Sequence, residues 1–209
     1  MEIVRSKAPG VDVRRVIPFA FDAFSDGDAT LADRSGLLFV AGFAHPPNVD
    51  AARWLVSEIM PLVWKRRPDA TLFLVGSNPD RTVLSLASGR VQVTGWVSDE
   101  ELANCYRRAR VSVVPLRFGA GIKSKVVDSL RRGVPIVTTC IGAQGLPGLE
   151  QIAKVSNDPV ELASGLLQLL ESDADWLAQA QAQLAFAKKN FASSTMIEQL
   201  SSAIEGNAA

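Results

Sequence analysis

Six short runs in this chain are apolar almost throughout, and helical patterns fill the gaps between them. The runs are LLFVAG (Leu37–Gly42), TLFLVG (Thr71–Gly76), VQVTG (Val91–Gly95), VSVVP (Val111–Pro115), PIVTT (Pro135–Thr139) and a weaker IAKVS (Ile152–Ser156). A strand with one solvated face alternates apolar and polar residues, whereas a strand covered on both faces does not. Runs of this kind separated by helices predict parallel strands joined by right-handed crossovers. The expected architecture is α/β, a doubly wound, mostly parallel, six-stranded Rossmann-like sheet with extra C-terminal helices. Ligands of such sheets sit outside the carboxyl ends of the strands, at the point where strand order reverses. In the commonest order the first and fourth strands are neighbours there.

The helices have their own signals. Ala52, Leu55, Val56, Ile59, Leu62 and Val63 recur at spacings of three and four, which predicts one helix over Asn48–Arg67, capped by Asn48 or Asp50 and stopped by Pro68. Ser98 with Glu101 forms a capping box, and Leu102, Tyr106 and Ala109 make the stripe behind it. NDPVELASGLLQLLES opens with an Asx cap and a proline in the first turn. Leu177, Leu184, Ala187 and Phe191 mark one closing helix, and Met196, Ile197, Leu200 and Ile204 another. A further helix is read between Pro79 and Ser88. VRRVIPFAF reads as one more strand and DAFSDGDATLADRSG as a polar linker, so residues 1–36 are expected to end a preceding domain. Residues 37–172 would then form the Rossmann-like domain. Residues 173–209 would be helices packing back on it or toward that preceding domain.

Charge narrows the function classes. With 22 basic and 22 acidic residues the formal net charge is +0, which gives no basic excess for a nucleic acid. No run reaches the roughly 18 apolar residues of a membrane span, and MEIVRSKAPGVDVRR lacks the apolar core of a signal peptide. A cytoplasmic chain is expected. Its two cysteines, Cys105 and Cys140, are expected to be buried reduced thiols with no metal-ligand spacing.

The stretch FGAGIKSK, just after the fourth run, carries the chemistry. A helix N-terminus exposes unpaired N–H groups and a partial positive charge. Gly119 and Gly121 let the backbone approach a ligand closely, and Lys123 and Lys125 add cationic charge. Together they suit an anion, phosphate above all. Read alone, G-x-G fits equally well a loop whose glycines serve packing and whose lysines are solvated. The position at the switch point favours phosphate. Asp128 lies inside the helix that this turn opens. A carboxylate there can accept hydrogen bonds from ribose hydroxyls, or else face solvent. His45, the single histidine, is either a donor to the same anion or a plain loop residue beside Pro46 and Pro47. The basic runs WKRRP and YRRAR read as solvated helix ends.

The motifs from Leu37 to about Leu146, in their order, resemble the donor-binding C-terminal domain of a GT-B glycosyltransferase of the retaining group 1 family. VRRVIPFAFD resembles the segment that ends that family's N-terminal domain. The resemblance implies an enzyme that transfers a sugar from a nucleotide-diphosphate donor with retention. It implies no cofactor and no metal. In the family a pair of glutamates brackets this turn. Asp128 occupies the second position, which holds the ribose hydroxyls, and Ala120 the first, which touches the donor sugar. Backbone amides of Gly121, Ile122 and Lys123 map to the diphosphate, and Lys123 is the best candidate for stabilising the leaving diphosphate. The loop after the first strand, with Gly42, Phe43 and His45, lacks the family's Arg and Lys; Lys123, Lys125 or Arg117 would supply that charge. The base would be cupped by backbone near Trp96 and Val97. The acceptor, a glycan or lipid-linked sugar, would be held by an N-terminal domain. The parent enzyme would then work at the inner face of a membrane, and the present chain would bind nucleotide without turnover. Phe19, Phe21 and Phe24 would be left bare. Two alternatives stay open: a GT-B-fold sugar-nucleotide epimerase, and a non-catalytic doubly wound scaffold module.

Overall fold

The computed structural model describes residues 6–7, 9–11, 17–25 and 31–205. Its strands are β1 (Ser35–Val40), β2 (Leu72–Val75), β3 (Val91–Gly95), β4 (Ala109–Val114), β5 (Ile136–Thr138) and β6 (Lys154–Val155). They form one sheet in the order β3-β2-β1-β4-β5-β6 with every pairing parallel. β1 lies centrally, with Leu37 opposite Leu72 on one side and Val111 on the other. Strand order reverses between β1 and β4, as expected from the alternation.

Burial explains why the strands read as unbroken apolar runs. Along β1 the side chains alternate between two cores. Leu37 and Phe39 join the larger cluster, while Leu38 joins a smaller one with Val75, Tyr106, Ala109 and Val134. Every residue of β4 is buried. The central strands have no room for a solvated side chain on either face and leave no polar alternation, whereas edge strand β3 alternates, with Gln92 and Thr94 exposed.

The first long helix is α1 (Pro46–Trp54), continued by a π-helical turn (Leu55–Ile59) and α2 (Met60–Trp64). The predicted stripe faces the core, but the start differs from expectation. His45 is the N-cap residue and makes no side-chain cap, while Pro46 and Pro47 fill the first turn. Asn48 and Asp50 lie inside the helix and bond elsewhere, so neither caps it. The π turn precedes Pro61, which has no N–H to continue a regular ladder. The helix read between Pro79 and Ser88 is the short α3 (Arg81–Leu84), capped by Asp80. Then come α4 (Asp99–Arg108), α5 (Ser124–Arg131), α6 (Pro159–Glu171), α7 (Asp173–Phe191) and α8 (Ser193–Glu205). The capping box at Ser98 and Glu101 is fully formed, and the Asp158 carboxylate accepts from the amides of Val160 and Glu161.

Several readings are corrected by long-range contacts. The described part of the expected strand over 13–21 is irregular. Its strand-like pairing among the described residues is an isolated bridge between Phe21 and Ala192, and residues 12–16 lie outside the described residues. Phe19, Phe21 and Phe24 are not bare. They are half-buried against the main core and run as a chain of ring contacts into Phe191. Arg110, read as solvated, is 8% exposed. Its guanidinium donates to the Leu169 carbonyl (3.0 Å) and to the Asp173 carboxylate (2.5 Å). The cysteines are both free, but only Cys105 is partly buried and Cys140 is exposed.

Candidate functional site

The turn between β4 and α5 lies at the carboxyl edge of the sheet, beside the switch point. Gly119 and Gly121 both have positive φ, 123° and 78°, a conformation that β-carbon-bearing residues rarely adopt. A β-carbon on Gly121 would meet nothing within 4 Å, so its requirement is conformational and the space above it is open. Phe118, Gly119, Ala120 and Gly121 are all exposed. Lys123 takes the N-cap position of α5 and gives no side-chain cap. Of the first-turn amides, that of Val126 donates to the Lys123 carbonyl (2.9 Å), which leaves those of Ser124 and Lys125 without an intrahelical acceptor.

The two lysines differ. The Lys123 ammonium folds over the turn, donating to the Gly121 carbonyl (2.5 Å) and reaching the Gln144 side-chain carbonyl (3.5 Å). Partial burial lowers its pKa. Lys125 points inward. Its ammonium donates to the Asn48 side-chain carbonyl (2.5 Å) and lies 5.0 Å from the centre of the Phe39 ring. Burial, and then the charge of Lys123, push its pKa down to about 8. Asn48 in turn donates to the Gly42 carbonyl (2.7 Å), so one amide side chain ties the loop after β1 to the helix after β4.

The remaining sequence-predicted residues fall as follows. Asp128 is half-buried on the second turn of α5, and one carboxylate oxygen accepts from Arg131 (2.8 Å). Phe43 is 2% exposed and packs edge-on against Phe39, with its amide donated to the Ser77 carbonyl (2.8 Å). His45 is exposed at the start of α1. Trp96 is 75% exposed, and Val97 packs against the smaller core. Arg117 is not a spare cation. It makes a two-pronged pair with Asp50, which holds that carboxylate below its usual pKa, and lies over Trp54. Among the described residues no group of three His, Cys, Asp or Glu comes together to hold a metal.

Sequence reasoning missed the loop after β5. The Thr139 hydroxyl donates to the Leu116 carbonyl and accepts from the Gly142 amide (3.1 Å), which pins this loop to the end of β4. Gly145, at φ 85°, presses so closely on Ile122 that a β-carbon would sit 2.6 Å from its side chain. Gln144 thereby reaches Lys123. The signal was the glycine pair of IGAQGL directly after a strand.

A family model described as Glycosyl transferases group 1 matches residues 34–172, the whole sheet and its helices through α6. The chain belongs to this family. A relative from Klebsiella pneumoniae, described as an uncharacterized 44.6 kDa protein in the cps region, is 26% identical over 183 residues. That match takes in 83% of this chain and 45% of the relative, so the chain spans about half the length of the protein it matches. Solved glycosyltransferase folds superpose closely. Staphylococcus aureus TarM, crystallised with fondaparinux, α-GlcNAc-glycerol and UDP, gives a TM-score of 0.72 at 12% identity, over 95% of this chain and 41% of that one. Sucrose-phosphate synthase from Thermosynechococcus elongatus gives 0.71 at 20%, over 98% and 55%. Anabaena HepE, crystallised with UDP and glucose, gives 0.64 at 14%, over 90% and 55%. At these identities the likeness is one of fold, and the group 1 chain described here has the Rossmann-like half of GT-B. No helix among its described residues is long and apolar enough to cross a membrane.

Proposed function

We propose that this chain is the donor-binding part of a retaining glycosyltransferase that takes a nucleotide-diphosphate sugar. One observation carries the reading. An exposed turn with two positive-φ glycines opens α5 at the switch point, with Lys123 at the helix start and Asp128 one turn further on. The diphosphate lies against the outward amides of Gly121, Ile122 and Lys123, where the helix dipole favours negative charge. Lys123 meets the charge that grows on the leaving diphosphate, the largest electrostatic demand of the reaction. Asp128 keeps one oxygen for ribose hydroxyls, and backbone near Trp96 and Val97 cups the base. Ala120 leaves a neutral, small side chain where the family pattern places a sugar-contacting glutamate, so sugar selection rests on other groups. The cps-region relative supports a place in polysaccharide synthesis, and the acceptor, a glycan or lipid-linked sugar, is bound by a further domain. The structures of TarM and HepE with UDP support a nucleoside diphosphate as ligand.

Titration with UDP and GDP, followed by amide shifts, tests this. Saturable binding with shifts at Gly119–Asp128 is expected. Saturable binding with shifts elsewhere, or none at all, would leave a scaffold module as the better description.

A further inference from the structure

A second feature, at the other end of α5, is not explained by the donor reading. α4 and α5 start at the carboxyl edge of the sheet and run back, so their last turns meet near its amino edge, where Arg34 precedes β1. Between them lies a cavity of about 280 Å³ lined by Arg34, Arg107, Arg131 and Arg132, with Tyr106 and Phe24. No acidic side chain among the described residues lines it.

Cations at helix C-termini offset the dipole, and this accounts for Arg107 and Arg131. It extends to Arg132, the C-cap residue of α5, but not to Arg34. Arg34 is 9% exposed and stands on no helix. One of its terminal nitrogens donates to the carbonyls of Tyr106 (3.0 Å) and Ala109 (2.9 Å), yet its Nε–H is buried without an acceptor. The Nε–H of Arg132 is likewise buried and unbonded, with the guanidinium 5.1 Å from the Tyr106 ring centre. Buried donors are almost always satisfied, and an unsatisfied one carries its full desolvation penalty. Guanidinium forks match the oxygens of a phosphate group in pairs.

We propose that this cavity is a second binding site, for a phosphate-class oxyanion. Arg131 is already paired with Asp128 (2.8 Å), so the guanidinium groups of Arg34, Arg107 and Arg132 face the anion, and the Nε–H groups of Arg34 and Arg132 supply donors with no acceptor among the described residues. Its ligand is either soluble phosphate or the phosphate of a lipid headgroup, and the two sources are separable by experiment.

The test is titration with inorganic phosphate, watching arginine Nε–H resonances and the amides of Phe24 and Tyr106. Saturable shifts at Arg34 and Arg132 are expected, and they should persist in Lys123→Ala, which removes the cation of the glycine turn. Arg132→Gln should weaken phosphate at this site about tenfold, the weight of a charge-assisted bond. Arg107→Gln, an exposed change with little risk to folding, should weaken it as well. Vesicles of phosphatidylcholine with and without phosphatidylglycerol identify the source. Arg107-dependent sedimentation with the anionic vesicles assigns the site to a headgroup, and phosphate binding without sedimentation assigns it to a soluble ligand. Shifts confined to Gly119–Lys125, or phosphate affinity at the cavity unchanged in Arg107→Gln, overturn the proposal. The donor reading would survive that failure, because it rests on the glycine turn, Lys123 and Asp128, none of which lines the cavity.

Discussion

The two ends of α5 are built on opposite principles. At its start the chain exposes backbone: two positive-φ glycines, an uncapped first turn and one lysine folded over them. At its finish the backbone is closed. The Gly133 amide donates to Leu130 (3.1 Å) and the Val134 amide to Ser129 (3.0 Å), the paired bonds of a Schellman cap with Gly133 at φ 64°. Charge there comes from arginine side chains. An anion at the first end is aided by the helix dipole and held by amides. An anion at the second must be held by guanidinium groups against the dipole. The same residue type, glycine, serves ligand approach at one end and chain reversal at the other.

The largest effect that would break this contrast is expected at Lys123. Lys123→Ala should weaken UDP, GDP and pyrophosphate alike, by roughly tenfold to a hundredfold, since a charge-assisted hydrogen bond is worth about 1.5–3 kcal/mol. Arg107→Gln should leave nucleotide affinity unchanged. Calorimetry on both variants at one salt concentration makes the comparison, and equal losses would mean that the two ends act as a single site.

Lys125 gives a medium effect with a definite sign. Its folded pKa is about 8 against an ordinary 10.5, lowered mainly by burial. The folded protein therefore releases this proton first, and the unfolded chain binds more protons between those values. Stability should rise with pH through that window. Lys125→Met should flatten the rise, read from denaturant midpoints across the same range. A wild-type profile that falls there would show that the ammonium is better compensated than its single neutral acceptor, Asn48, implies.

Much of this was legible in the sequence because the deciding interactions are local. Runs buried on both faces gave the strands, Ser98 with Glu101 gave a cap, and Gly119 with Gly121 gave a turn ahead of a helix. What was not legible depended on partners far along the chain. Arg117 looked like a spare cation until Asp50, 67 residues away, took both its prongs. Arg110 looked solvated, yet it is buried by α6 and α7. Lys125 looked equivalent to Lys123, but the rotation between them leaves one folded over the glycine turn and turns the other toward Asn48 and Phe39. Spacing shows which residues are near in the chain, and only the fold shows which of them are already engaged.

The smallest effect separates the glycines. Gly121→Ala and Gly133→Ala should each lose about 1–2 kcal/mol of stability, the cost of a left-handed conformation for a residue with a β-carbon. Only Gly121→Ala should also alter nucleotide binding. Thermal melts and UDP titrations of the two variants show whether the ends differ in purpose as well as in chemistry.

The central claim is that the start of α5 reads a nucleoside diphosphate, with Asp128 reserved for the ribose. Calorimetric titration of Asp128→Ala with UDP and with pyrophosphate addresses it most directly. UDP should bind about tenfold more weakly, in line with the loss of a charged hydrogen bond. Pyrophosphate should bind as well as before, or slightly better through lost repulsion. Equal weakening of both ligands would contradict the ribose assignment and leave Asp128 as the partner of Arg131 alone.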